Sequence, residues 1–150
     1  MRIIFLLIAL TFSTIATAVD FELKTDNTGV ITHESSDWVL TSKAANFDLY
    51  VNHSAIGSTE RVTAIYSVVE FHQPGGFRFE ALPVPVKRIY SFGLLECKNG
   101  IMNLLASWYV DTNNKIVYNQ SHSLDSYLVD MREKNTSRND LFRVVCANNK

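Results

Sequence analysis

Four histidines, a neighbouring glutamate and two cysteines are the side chains of this sequence that could carry chemistry. None of the histidines has the H-x-H or H-E-x-x-H spacing that places two imidazoles on one metal ion, so no metal site is expected. These histidines are His33, His53, His72 and His122. Glu70 and His72 lie two residues apart on one face of a predicted strand, which favours a surface pair of these two side chains. A ribonuclease-like pair of histidines with a lysine stays open.

The motifs of the common enzyme classes are also absent from the sequence. It contains no G-x-S-x-G, no phosphate-binding glycine loop and no dinucleotide fingerprint. A nucleophilic Cys97 would need a free thiol, which conflicts with the disulfide expected below. We therefore expect a protein that is not an enzyme and binds no cofactor.

Cys97 and Cys146 are expected to form a disulfide. They are the only two cysteines, and in an oxidising compartment an even pair far apart in sequence is usually bridged. Their spacing is too wide for the C-x-x-C pattern of a redox or metal pair. Closing a loop of about 50 residues stabilises a fold by roughly 4 kcal/mol in the chain-entropy description.

Residues 1–18 have the pattern of a signal peptide. Arg2 precedes an apolar run from Ile3 to Leu10, and Ala16-Thr17-Ala18 supplies a cleavage site before Val19. The run is shorter than the roughly 20 residues that a membrane-spanning helix needs. An uncleaved N-terminal helix is the alternative. We therefore expect an exported protein, in the periplasm or on the outer cell surface, with no membrane span after cleavage.

The charge of the mature chain argues against nucleic-acid binding. Cleavage after residue 18 removes Arg2 alone among the charged residues, which leaves 13 basic and 15 acidic side chains. Nucleic-acid binding normally needs a basic face. The remaining length suits one domain, which we place at residues 37–148 after a polar, flexible N-terminal segment at 19–36.

Alternating hydrophobicity predicts an α+β fold, a twisted antiparallel sheet of about five to six strands arranged as a meander. Asn99-Gly100 and residues 111–114 have turn chemistry. The folded part begins at Ser36–Leu40, and further strands are predicted at 47–52, 61–71, 88–97, 101–110 and 116–121.

A C-terminal helix is expected to pack on one face of this sheet. Ser137 is predicted as its N-cap, with Asp140 in the first turn, and the helical period gathers an apolar arc. That arc consists of Leu141, Phe142, Val144, Val145 and Cys146. A Cys97–Cys146 bond would then fasten the helix to a strand end. Ser91 and Gly93 are small enough to leave room for the helix above them.

Strict alternation along 101–110 predicts one wholly apolar face. It would hold Met102, Leu104, Ala106, Trp108 and Val110. Most tyrosines are expected in the core or on a sheet face, and an exposed tyrosine row would suit protein binding. Lys87-Arg88 is interpreted as a solvated strand start.

Several short segments follow one another in a characteristic order. They are Asp37-Trp38, Phe47 to Asn52 with Ser54 and Ile56, Lys87 to Ser91, Leu94 to Cys97, Trp108 to Val110, and Val144 to Asn148. In this order they resemble the surface-adhesin protein E family of Gram-negative bacteria, and the resemblance covers roughly residues 37–148. It implies a twisted antiparallel sheet with a C-terminal helix held by a disulfide, which agrees with the analysis of Cys97 and Cys146.

The resemblance also implies a non-catalytic adhesin for host extracellular-matrix or serum proteins, which could be a homodimer. No ligand-binding residue can be named from it. The alternative is a periplasmic inhibitor or small-ligand-binding protein on the same fold. For an inhibitor, the best protruding loop is 73–86, where Phe77 and Phe79 flank Arg78, although packing is the simpler role for these two rings.

Overall fold

The protein was examined as a computed structural model that describes residues 26–30, 38–52, 57–58, 61–75, 82 and 84–147. The predicted signal peptide lies outside these residues. The strands are β1 (Trp38–Lys43), β2 (Phe47–Asn52), β3 (Gly57–Ser58), β4 (Thr63–Phe71), β5 (Arg88–Glu96), β6 (Ile101–Val110), β7 (Ile116–Ser121) and β8 (Leu128–Asp130), and the helix is α1 (Ser137–Cys146).

All strand pairs belong to one open antiparallel sheet, which confirms the predicted α+β class. Six strands follow one another in the order β1-β2-β4-β5-β6-β7. The two short strands pair with the parts of longer strands that β2 and β7 leave unpaired. β3 pairs with β4 beyond the end of β2, and β8 pairs with β6 beyond the end of β7. Among the described residues, no helix has the length and apolar character needed to cross a membrane.

The turn between β5 and β6 requires its glycine. Gly100 has a φ of 68°, a left-handed conformation that side chains disfavour. A Cβ at this position would also clash with two side-chain carbons of Arg132. The predicted Asn-Gly turn therefore requires glycine at position 100 for two reasons, which are its left-handed backbone conformation and the close packing of Arg132.

Helix α1 closes the main core on one face of the sheet. It lies against β1 and β2, and its Leu141 and Val145 are buried. The core that these two residues complete contains Leu49, Val51, Ile65, Leu95, Met102 and Met131. The predicted apolar arc is confirmed, because Phe142, Val144 and Cys146 also pack against this core.

The N-cap of the helix lies one residue earlier than predicted, so the helix itself begins at Ser137. Thr136 is the N-cap, and its Oγ1 accepts a hydrogen bond from the Asn139 backbone at 3.2 Å. Ser137 lies in the first turn, where its hydroxyl contacts the Ser42 hydroxyl of β1 at 3.1 Å. Ser42 also donates to Asp140 at 2.8 Å. These contacts fix the start of α1 to the edge of the sheet.

The disulfide between Cys97 and Cys146 is present as predicted. The two Cα atoms are 5.6 Å apart, and 49 positions separate the cysteines in sequence. The bond joins the residue after β5 to the last residue of α1. It therefore holds the end of the helix that is opposite the Ser42 contacts.

A bulge in β6 overturns the prediction of one wholly apolar face. Phe92 pairs with Ala106 and Gly93 with Leu104, so Leu105 is an extra residue that reverses the alternation. Met102 and Leu104 consequently pack with the helix-side core. Trp108 and Val110 instead pack around Tyr90 on the other face.

The space above Gly93 is also filled differently from the prediction. A Cβ on Gly93 would lie 3.1 Å from Met102 Cγ and 3.2 Å from Met102 Sδ. The side chain of Met102, rather than α1, therefore occupies the room that this glycine leaves.

Candidate binding site at the β7 to β8 edge

The connection from β7 to β8 carries the most exposed apolar side chains among the large hydrophobic residues that the structure describes. We call residues 122–128 the edge loop. Leu124 is 65% exposed, Leu128 57% and Tyr127 49%. Single exposed apolar residues are common on protein surfaces, but three within one short loop are typical of an interaction site.

Hydrogen bonds to β6 hold the two ends of the edge loop. The His122 amide donates to the Leu105 carbonyl at 2.8 Å, and the Leu104 amide donates to the Tyr127 carbonyl at 3.0 Å. The β6 bulge lies at this point, so the chain leaves the sheet edge at the bulge and returns to it as β8. The bulge in β6 thus coincides with the origin of the edge loop.

Side chains hold the interior of the edge loop. Asp125 has a positive φ of 62°. Its carboxylate accepts a hydrogen bond from the side-chain amide of the buried Asn103 at 3.0 Å. The Ser126 hydroxyl and amide both donate to the Ser123 carbonyl, at 2.6 and 3.1 Å. With both ends and the middle bonded, the exposed side chains project from a fixed backbone.

His72 and His122, the two histidines that the structure describes, do not form a catalytic cluster. His122 stacks on Tyr127, with ring centroids 4.9 Å apart and an interplanar angle of 29°. His72 is exposed, and its Nε2 lies 3.2 Å from Asp48. His33 and His53 lie outside the described residues. Among the described residues, no three His, Cys, Asp or Glu side chains come together as a possible metal site.

The predicted surface pair of Glu70 and His72 is replaced by two other contacts. His72 faces Asp48, as given above, while Glu70 Oε1 lies 3.4 Å from both Lys87 Nζ and Arg88 Nη2. Lys87 also donates to the Phe71 carbonyl at 2.9 Å. Lys87-Arg88 lies at the start of β5 as expected, but the two side chains are only 27% and 20% exposed, so they are half-buried beside Glu70 rather than solvated.

The described residues contain no exposed row of tyrosines. Tyr66 and Tyr90 are 2% exposed and Tyr109 is 9% exposed, which agrees with the expectation that most tyrosines pack in the core. Burial, with smaller contributions from Tyr118 and Tyr127, raises the pKa of the Tyr109 phenol. Tyr127 is the tyrosine with the most exposed side chain, at 49%.

The loop at 73–86 cannot be assigned the protruding role that the sequence suggested. Phe77, Arg78 and Phe79 lie outside the described residues. Its base is packed, because Gly75 donates to the Val86 carbonyl at 3.2 Å and Val86 is 1% exposed. No pattern in the sequence marks the edge loop, because its leucines and tyrosine look like ordinary core residues.

Comparison with protein-family models and with the sequences of curated proteins finds no match. Solved structures do match. Protein E of Haemophilus influenzae in crystal form II aligns with a TM-score of 0.55 at 14% identity, covering 78% of this chain and 92% of that chain. Protein E from non-typeable Haemophilus influenzae aligns at 0.52 and 14%, covering 78% and 80%. The geometry and the likeness agree on the fold: the chain has a protein E-like fold.

Proposed function

We propose that this chain is an exported, non-catalytic binding protein that contacts a protein partner through the edge loop. The observation that carries the proposal is the joint exposure of Leu124, Tyr127 and Leu128 on a hydrogen-bonded backbone. The protein E-like fold supports the same class of function, and the resemblance in sequence favours host extracellular-matrix or serum proteins as partners.

The physics of protein interfaces favours this loop as the anchor. A tyrosine between aliphatic side chains is a common centre of binding energy. Because the backbone is already fixed by the bonds to Leu104 and Asn103, little conformational entropy is lost when a partner binds. Stacking on His122 also limits the rotamers of Tyr127 before contact.

A homodimer is a further proposal, and it involves the opposite edge of the sheet. Val39 and Leu40 of β1 are 43% and 41% exposed. An edge strand with apolar side chains can pair with the same strand of a second copy about a two-fold axis. Such a dimer would leave the edge loop accessible in both copies.

The test of the proposed binding uses the oxidised protein at residues 19–150, immobilised and exposed in turn to basement-membrane extract and whole serum. The triple variant Leu124→Ser, Tyr127→Ser, Leu128→Ser should weaken binding by about 30-fold, equivalent to losing one strong interface anchor. Surface plasmon resonance gives the affinities, and circular dichroism checks that the variant is folded.

The matched control is Val84→Ser, which removes exposed apolar area outside both the edge loop and β1. Its affinity should stay within about threefold of the unmodified protein, since surface changes away from a contact have small effects. Equal binding by the triple variant, or no binding of either probe to the unmodified protein, would contradict the proposal.

Location is tested separately on intact cells that express the full chain. Export to the outer surface predicts that a non-permeant protease removes the mature protein while a periplasmic marker survives. Protection of both would place the protein in the periplasm and rule out an adhesin, although a binding protein with another partner would remain. Retention of residues 1–18, read by mass spectrometry of the mature chain, would contradict cleavage of the signal peptide.

A further inference from the structure

On its outer side, β7 pairs with no other strand that the structure describes. In the described part of the chain, its only partner on that side is the turn at residues 26–30. This turn covers the start of the strand, where Val30 bridges Lys115 and the Gly29 carbonyl accepts from Ile116 at 2.9 Å. From Val117 to Ser121 the sequence has no charge and no proline, the residues with which edges are normally protected.

The hydrogen-bond pattern shows which amides of this edge point outwards. The His122 amide points towards β6, because it donates to the Leu105 carbonyl. Backbone groups alternate in direction along a strand, so the amides of Asn119 and Ser121 point away from β6. The Ile116 amide also points outwards, because it donates to the Gly29 carbonyl. The outward amides of Ile116 and Asn119 are three residues apart rather than two or four, because a bulge at Val117 shifts the alternation.

We propose that the outer edge of β7 takes up an extended segment of a protein partner by strand addition. This proposal rests on the proposed function and specifies how the partner is recognised. The Ile116 amide already donates to the Gly29 carbonyl, so an outward amide of this edge can bind a backbone carbonyl. The outward amides and carbonyls of Asn119 and Ser121 would bind the backbone of the added strand.

The side chains of β7 define the chemistry of the segment that fits. Tyr118 lies on the same face as Tyr109, with ring centroids 5.3 Å apart. Asn119 and Ser121 lie on the other face and are exposed. Because neighbouring strands match side chains on each face, the added segment should alternate between apolar residues beside Tyr118 and polar residues beside Asn119. The edge loop begins directly after Ser121, so one end of the segment reaches it.

A second copy of this chain fits the same edge poorly. Antiparallel pairing of β7 with itself about Asn119 would place Ile116 of one copy opposite His122 of the other. The turn at 26–30, which covers Ile116, would then meet the edge loop of the other copy. A partner segment without these two flanking features avoids that collision.

The test selects displayed random peptides of about 8 residues, enough to cover an edge strand of ordinary length, on the oxidised protein at residues 19–150. Enriched peptides should alternate apolar and polar residues and lack proline. Asn119→Pro removes one outward amide without removing a bond to β6, and it should weaken binding of these peptides at least tenfold. Asn119→Thr keeps the amide and should bind as the unmodified protein does.

Ser121→Pro provides the same test at the second outward amide if Asn119→Pro does not fold. Equal binding of the peptides by both proline variants, or no enrichment over an uncoated surface, would overturn strand addition. A dimer in light scattering that Asn119→Pro converts to a monomer would identify a second copy as the occupant and also overturn it. If the edge-loop variant loses serum or matrix binding while the proline variants keep it, the proposed function stands and strand addition fails.

Discussion

Replacing Cys97 and Cys146 together by serine should lower the free energy of unfolding by about 4 kcal/mol. The bond closes a loop with a sequence separation of 49, and opening it restores conformational freedom to the unfolded chain. For a domain of this size, a loss of that magnitude lowers the Tm by on the order of 10–20 °C. Differential scanning calorimetry of the variant and of the oxidised protein measures both quantities.

The position of the disulfide adds a structural reason for a large effect. Both cysteines pack against the main core, and the bond secures the last turn of α1, where Val145 is buried. Without it, contacts with the sheet must hold that turn alone. The urea m-value should also rise, because an unfolded chain without the cross-link exposes more surface.

The control for the substitutions themselves is the unmodified protein with its disulfide reduced, which keeps both cysteines. If it matches the double variant in stability, the change belongs to the bond rather than to the serine side chains. A double variant as stable as the oxidised protein would mean that the unfolded chain is held compact by other contacts, contrary to the entropic argument.

The helix and the order of the strands follow from the sequence because their signals are local. The bounds of β6 and β7 match the predicted strands, and the apolar arc of α1 is buried as its helical period predicts. The cysteine pairing also followed, since two cysteines allow one pairing. Each of these features depends on spacing along the chain, which periodicity reports directly.

The faces of β6 could not be predicted, because an extra residue in a strand leaves no mark in a hydrophobic pattern. Leu104, Leu105 and Ala106 are all apolar, so the shift of register between them is invisible in sequence. The consequence is large. The strand contributes Met102 to the core beneath α1 and Trp108 to a separate cluster on the opposite face.

The edge loop was missed for a related reason. The spacing of Leu124, Tyr127 and Leu128 shows no periodicity that would distinguish exposed binding residues from core residues. Their exposure depends on β8, a strand of three residues that returns to β6 after the loop. Pairing over so few residues is decided by the sheet edge that receives them, and local propensity carries little information about it.

Leu141→Ala should cost about 3 kcal/mol of unfolding free energy, in the middle of the range for a buried leucine. Leu141 is 3% exposed and joins α1 to the core beneath the sheet. Alanine is a better helix former than leucine, so a loss of stability would report the packing of this helix face. Chemical denaturation followed by circular dichroism measures the change.

Arg143→Ala is the matched control, because Arg143 belongs to the same helix and is exposed. Its effect should stay within about 0.5 kcal/mol, as is usual for surface positions. A cost for Leu141→Ala as small as that of the control would contradict the packing of α1 on the sheet.

Combining Leu141→Ala with the two cysteine substitutions would show whether packing and the disulfide hold the helix independently. If they do, the two losses add. If α1 separates from the sheet once the disulfide is removed, Leu141 is already exposed in that background and its substitution costs little more. Additivity would therefore show that the core contacts of Leu141 and Val145 suffice to dock α1, and that the disulfide acts on the unfolded chain.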